Sequence, residues 1–233
     1  MRSGCSCCVM LLALGTLITK AQERTYSVTT FGAFTTSSKL FHHPDATNEI
    51  TRGQYLPLDD ILSMGVEIRK NISSIRAQLG LSIEYLSKSE VINVPTSSSS
   101  IPLSDGFTVF PIELTGYFVI PFSGESVQLF MGGGAGLYPG FRAYDYAGAS
   151  AIVADRTTGA GIHVVSGVEY RLNDLFSLRS MIKFRDVQFE SVNRFARTSV
   201  VYNGAVVNLT QEPLSSRVNI DGMVATLGVV VYF

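Results

Sequence analysis

Residues 74–85 read SIRAQLGLSIEY and predict a β-strand with one apolar and one polar face. Every second residue of this stretch is apolar or aromatic: Ile75, Ala77, Leu79, Leu81, Ile83 and Tyr85. The residues between them are polar or small: Arg76, Gln78, Gly80, Ser82 and Glu84. Successive side chains of a strand point to opposite faces, whereas a helix would scatter both sets around its axis. The stretch therefore favours a strand over a helix.

The same period of two recurs along most of the chain. Further stretches that show it are 62–68, 110–120, 129–137, 162–170, 176–184 and 227–233. Residues 26–35 show a less regular version, and with them the pattern predicts eight strands. The sequence therefore predicts an all-β fold.

The connections between these strands alternate in length. Short, turn-like segments rich in Gly, Asn, Asp and Ser occur at 70–73, 123–126 and 172–174. Long polar segments occur at Thr36–Asp59, Ser87–Gly106, Tyr138–Thr158 and Ser191–Ser216. Short turns at one end and long loops at the other are typical of outer-membrane barrels, with the short turns in the periplasm. The pattern therefore predicts an antiparallel up-and-down transmembrane barrel with long extracellular loops.

A ten-stranded barrel is the alternative for the strand count. The fourth long connection contains Val200–Val207, in which Asn203-Gly204 signals a tight hairpin. Its arms are about five residues each, and a transmembrane strand needs about 9–11. We expect this hairpin to extend the barrel outside the membrane.

Composition helps to decide which face meets water, because alternation alone fits a soluble β-sandwich or a lipocalin-like barrel as well. The mean hydropathy is +0.25, and 16% of the residues are charged. After the N-terminus, no uninterrupted apolar run reaches the roughly 18 residues that suggest a spanning helix. In lipid, only helices and closed barrels satisfy every backbone hydrogen-bonding group. The composition and the connection pattern therefore favour a barrel whose apolar face meets outer-membrane lipid.

The N-terminus has the features of a secretory signal. Arg2 supplies positive charge, 9–18 (VMLLALGTLI) form an apolar core, and 19–21 form a small-residue cleavage site. The predicted division is a signal peptide at 1–21 and an outer-membrane barrel domain at 22–233. All cysteines, Cys5, Cys7 and Cys8, precede the apolar core, which argues against lipidation. The predicted mature chain has no cysteine, which excludes a disulfide framework and cysteine-based catalysis or zinc binding.

The last residues, MVATLGVVVYF at 223–233, end in an aromatic residue preceded by apolar residues at alternating positions. Their alternating set is Leu227, Val229, Val231 and Phe233. The segment resembles the C-terminal assembly signal of bacterial outer-membrane proteins. With the strand pattern, the whole predicted mature chain resembles small barrels of the outer-membrane protein A-like superfamily. This resemblance implies insertion by the outer-membrane assembly machinery through transient recognition of Phe233, and it implies little about activity.

Charged residues occupy the face opposite the apolar one. The predicted set is Glu67, Arg69, Arg76, Glu84, Glu113, Glu169, Arg171, Arg179, Lys183 and Arg185. The interior of an eight-stranded barrel is just wide enough for side chains to fill it. Because isolated buried charges are very costly, the two signs should pair there. The residues therefore predict a charge network that plugs the lumen, with a selective passage as the alternative.

Other motifs give weak evidence for chemistry. His163, Ser166 and Glu169 resemble the histidine, serine and acid of a small outer-membrane lipid A deacylase. Alternation points Ser166 away from the other two, so a Ser–His hydrogen bond within this strand is not expected. His42 and His43 lie in the first long loop without a cluster of acids or cysteines, which makes the evidence for a metal site weak. We expect no catalytic residue, metal or cofactor.

The bulk charge excludes one class of partner. A net charge of −1 gives no electrostatic basis for binding nucleic acid. The sequence favours a non-enzymatic outer-membrane barrel with a structural or interaction role carried by its surface loops. A minor channel or carrier for small solutes is the first alternative, and a membrane-embedded lipid-modifying enzyme is the second.

Overall fold

The computed structural model describes residues 25–95, 100–121, 124 and 126–233. The predicted signal peptide at 1–21 lies outside the described residues, as do Ser123 and Glu125 of the predicted turn at 123–126. The strands are β1 Tyr26–Thr35, β2 Lys39–Phe41, β3 Tyr55–Pro57, β4 Ile61–Ile72, β5 Ala77–Pro95, β6 Ser100–Val109, β7 Ile112–Val119, β8 Val127–Tyr146, β9 Ala149–Ser150, β10 Ile152–Arg156, β11 Thr158–Arg171, β12 Phe176–Arg194, β13 Ser199–Tyr202, β14 Ala205–Asn208, β15 Leu214–Ile220 and β16 Met223–Tyr232. A short α-helix, α1, spans Glu49–Arg52, and a 3₁₀ turn spans Ser73–Ile75. In the described ranges, no helix is long and apolar enough to cross a membrane.

Eight of these strands close into a ring. The antiparallel pairs run β1–β4, β4–β5, β5–β7, β7–β8, β8–β11, β11–β12, β12–β16 and finally β16–β1. A closed ring has no sheet edge with unpaired backbone N–H and C=O groups, which lipid could not hydrogen-bond. The predicted eight-stranded up-and-down barrel is confirmed. The ten-stranded alternative is not found, because β13 and β14 pair with each other in a separate two-stranded sheet.

The N-terminal end of β1 meets the C-terminal end of β16 at the end of the barrel that carries the short turns. The Tyr26 N–H donates to the Phe233 carbonyl at 3.2 Å, and the Phe233 N–H donates to the Tyr26 carbonyl at 3.0 Å. The connections from β4 to β5 and from β11 to β12 lie at this end as well. With the short turns in the periplasm, both strand termini are therefore periplasmic.

The outward side chains of the barrel are apolar and accessible. Leu62 is 77% exposed, Ile162 is 74% exposed and Leu227 is 65% exposed, values far above those of a protein core. The inward residues of the same strands are largely polar and buried. A soluble protein would bury its apolar face, so the barrel has the inverted arrangement that a lipid environment requires.

The strands extend well beyond the membrane at the opposite end. β5 has 19 residues, β8 has 20 and β12 has 19. At about 3.3 Å per residue and a tilt of about 40°, such a strand rises about 48 Å, against an apolar band of about 25 Å. Much of what the sequence predicts as long loops is therefore strand, and we define this part as the extracellular extension.

The two faces exchange polarity where the strands enter the extension. Along β12, the buried residues change from Lys183 and Arg185 to Val187 and Phe189. The outward residues change from the apolar Phe184 to charged and polar side chains at 186, 188 and 190. The sheet is therefore inverted inside the membrane and has an ordinary apolar core above it.

This apolar core joins two sheets of the extension. One sheet contains β5, β6 and β8, and the other contains β12, β15, β2 and β3. The core residues are 0–1% exposed: Leu40, Leu58, Ile61, Leu86, Phe107, Val109, Tyr138, Val187, Phe189, Val218 and Ile220. Phe107 and Phe189 meet edge to face with ring centroids 6.1 Å apart. The core covers the extracellular end of the lumen.

Candidate functional site in the barrel interior

The barrel brings most of the predicted interior charges together. The residues at 0–3% exposure are Glu67, Arg69, Glu84, Glu113, Glu169, Arg179, Lys183 and Arg185. They comprise four carboxylates and four cations, so their formal charges cancel. Period-two alternation on five different strands directs them to one axis. We define these eight residues as the interior network.

The half of the network nearer the periplasm is centred on Glu169 of β11. Its Oε2 accepts hydrogen bonds from Arg179 Nη1 at 2.8 Å and from Arg69 Nη1 at 3.1 Å. The Tyr232 hydroxyl donates to its other oxygen. Arg69 Nε also lies 3.3 Å from Glu67 Oε2. Each carboxylate therefore has a charged partner, as burial requires.

Arg179 is held by rings as well as by charge. Its guanidinium carbon lies 3.6 Å from the centroid of Phe130 and 4.6 Å from that of Tyr117. Its Nε and Nη2 are buried and have no hydrogen-bond partner among the residues that the structure describes. Cation–π attraction in a desolvated site contributes about 2 kcal/mol and offsets part of the cost of burying these unpaired donors.

The half nearer the extracellular end is centred on Glu113 and Glu84. Lys183 donates to Glu113, and the Tyr138 hydroxyl donates to the same carboxylate at 2.7 Å. Arg185 Nη1 lies 3.0 Å from Glu84 Oε2 and 3.7 Å from Glu113 Oε1. Arg185 therefore links the two carboxylates across the barrel.

The histidine, serine and acid that resemble a deacylase site are not brought together. His163 is buried, and its Nε2 lies 2.8 Å from the Thr115 hydroxyl. Ser166 is on the outward face and donates to the Phe130 carbonyl at 3.5 Å. Glu169 is engaged with two arginines and a tyrosine. The three side chains form no hydrogen bond with one another in the described part of the chain.

Arg76 and Arg171 do not join the interior network, and the prediction that placed them there is wrong. Both are exposed at the periplasmic end of the barrel. Arg76 follows the 3₁₀ turn with φ 51°, so regular alternation begins only at Ala77. Arg171 is the last residue of β11, and its guanidinium lies 5.7 Å from the Tyr232 ring centroid. The assignment of charged residues to the interior therefore failed at the strand ends, where regular alternation does not hold.

A further buried ion pair lies in the extracellular extension, and no pattern in the sequence predicted it. Arg142 of β8 binds Asp105 of β6 through two hydrogen bonds, at 2.7 and 2.6 Å. His42 Nε2 lies 2.9 Å from the same carboxylate. Burial raises the pKa of Asp105, but hydrogen bonds from Arg142 and His42 outweigh it and hold the pKa below its usual value. His42 thus has an acidic partner 63 residues away, which no local motif could indicate.

The residues of the predicted assembly signal share the outer face of β16. Leu227 is 65% exposed, Val229 is 46% exposed and Phe233 is 60% exposed. Val231 lies on the same face and is half-buried. Phe233 stacks at 6.3 Å on Tyr26, its neighbour across the closing strand pair. This set belongs to the lipid-facing surface rather than to the interior.

Comparison with solved structures identifies the fold class. The chain is similar to the outer membrane protein OprG from Pseudomonas aeruginosa, with a TM-score of 0.57 and 15% identity over 90% of this chain and 96% of that chain. The chain folds as a small outer-membrane β-barrel. Its closed ring and apolar outer face are those of proteins that reside in the bacterial outer membrane.

Two further outer-membrane barrels match over similar lengths. Neisserial surface protein A gives a TM-score of 0.47 and 14% identity over 89% of this chain and 97% of that chain. The attachment invasion locus protein of Yersinia pestis gives 0.42 and 12% identity over 90% of this chain and 99% of that chain. No protein-family model and no curated protein matches the sequence.

Proposed function

We propose that this outer-membrane barrel is a closed scaffold that presents its extracellular extension for interaction with other molecules. The observation that carries the proposal is the filled interior. Four carboxylates and four cations pair across the lumen, and an apolar core at 0–1% exposure lies above them. The proposal therefore favours a structural or interaction role over transport.

The interior supports closure in two successive layers. Eight strands leave an interior that side chains can fill, and here long charged and aromatic side chains occupy it. Ions passing through would have to separate paired charges and then enter a dry apolar layer. Both steps are costly, because a buried charge without a partner loses its solvation.

The extension offers exposed apolar side chains for contact. Asn203 and Gly204 have φ values of 49° and 80°, the left-handed geometry that a tight hairpin turn needs. The arms carry Val201 and Val206, which face each other and are each 69% exposed. An isolated two-stranded hairpin is only marginally stable in water. We propose that this hairpin takes part in the extension's interactions, and that assembly of the barrel uses recognition of Phe233.

We expect wild-type protein in planar bilayers to show little or no steady conductance. A porin reconstituted in the same bilayers serves as the control for insertion and recording. A stable, ion-selective current whose selectivity changes in Lys183→Met would mean that the charges line a pathway. The channel alternative would then replace the scaffold.

A further inference from the structure

The periplasmic end of the lumen is an open depression of about 450 Å³. It lies below the interior network and is separated from the extracellular end by the filled interior. Its polar lining comes from five barrel strands and one turn: Asn71, Arg76, Gln78, Gln128, Arg171 and Tyr232. We define these residues as the periplasmic mouth. None of the described lining residues is acidic.

The periplasmic mouth carries positive charge that the interior does not cancel. The eight charges of the interior network balance one another, whereas Arg76 and Arg171 form no ion pair with any residue that the structure describes. The guanidinium of Arg171 is positioned over the ring of Tyr232. Two arginine side chains therefore add their charge at one opening, and the described residues that line this opening include no carboxylate.

Arg76 is placed at the mouth at a conformational cost. Its φ of 51° lies in the left-handed region, where Gly or Asn is the common choice. Such a conformation is unfavourable for a residue that carries a Cβ atom. The Arg76 carbonyl accepts the Val119 N–H at 3.0 Å, which fixes the turn against β7. Arginine at a position that would suit glycine suggests that its side chain has a use there.

We propose that the periplasmic mouth binds an oxyanion of phosphate chemistry. Two guanidinium groups present donors in planar forks that match phosphate oxygens. The amide side chains of Gln78 and Gln128 lie in the same depression and can donate to further oxygens. A phosphate offers more acceptor oxygens than a carboxylate does, so it fits two arginines and two amides better. The source is a soluble periplasmic phosphate or the headgroup of a phospholipid in the adjacent leaflet.

Inorganic phosphate is the probe for the first experiment. Titration calorimetry uses the refolded protein in a maltoside detergent, which contains no phosphate. We expect saturable binding that weakens about tenfold in Arg76→Gln and in Arg171→Gln, the loss of about one charged hydrogen bond each. Arg197→Gln is the matched control, because Arg197 is exposed in the extension, and it should bind as the wild type does.

A second arm separates the two sources. The same titration is made in nanodiscs of phosphatidylglycerol. If phosphate binds in the nanodiscs as tightly as in detergent, the site is assigned to soluble phosphate. If the apparent affinity for phosphate falls tenfold or more in the nanodiscs, and this fall disappears in Arg76→Gln, a lipid headgroup competes for the site and the site is assigned to lipid headgroups. Absence of saturable binding in detergent, or binding that both arginine variants leave intact, would overturn the proposal. Because both arginines are exposed, the variants should retain the folded form, which is checked by heat-dependent gel migration.

Discussion

Replacing Glu169 by glutamine is expected to lower the free energy of unfolding by about 3–5 kcal/mol. Glu169 accepts hydrogen bonds from Arg69, Arg179 and the Tyr232 hydroxyl, all inside the barrel. The neutral amide would leave two buried guanidinium groups without their shared counter-charge. Urea unfolding of the protein refolded into lipid vesicles, followed by circular dichroism and gel migration, measures the change.

A surface ion pair provides the matched control. Glu190 of β12 lies 2.8 Å from Arg217, and their side chains are 45% and 33% exposed. Because water screens this pair, Glu190→Gln should cost about 1 kcal/mol or less. Equal effects at Glu169 and Glu190 would contradict a desolvated interior network.

The second large effect is expected on the outer surface. Leu81 lies near the middle of the apolar outward residues of β5 and is 55% exposed. An arginine near the bilayer midplane of a barrel costs about 2–4 kcal/mol. Leu81→Arg should therefore destabilise the refolded barrel by that amount in vesicles, measured by the same urea titration.

Val91 is the control on the same strand and the same face. It lies ten residues beyond Leu81, which corresponds to about 25 Å along the barrel axis, and is 64% exposed. It therefore lies in the extracellular extension, and Val91→Arg should change stability by less than about 0.5 kcal/mol. A large loss of stability in Val91→Arg with none in Leu81→Arg would mean that Val91, and not Leu81, lies in the apolar band of the membrane.

The sequence was sufficient for the barrel itself because the period of two assigns each residue to a face. The residues from Leu79 to Tyr85 alternate between exposed and buried in the structure, as the sequence pattern predicts. The inward placement of Glu113, Lys183 and Arg185 follows from the same rule. What alternation does not specify is which acid meets which base, since that depends on the stagger between strands distant in sequence.

Two features could not be predicted by that rule. The extracellular extension reverses the polarity of the faces between Arg185 and Val187, so a pattern sought with constant phase ends there. Val187 and Phe189 were the available signal, because they continue the period-two alternation with apolar residues on the inward face, which is polar within the membrane. The contact of His42 with Asp105 joins two different extracellular segments, and only the folded chain brings them together.

The central claim, that the outward face of the closed barrel meets lipid, is tested most directly by tryptophan quenching. The chain contains no tryptophan, so a single introduced residue gives all of the tryptophan fluorescence. In bilayers of lipids brominated on their acyl chains, Leu81→Trp should be strongly quenched and Val91→Trp should keep its fluorescence. Fluorescence of Leu81→Trp that is unaffected by the brominated lipids would contradict the account.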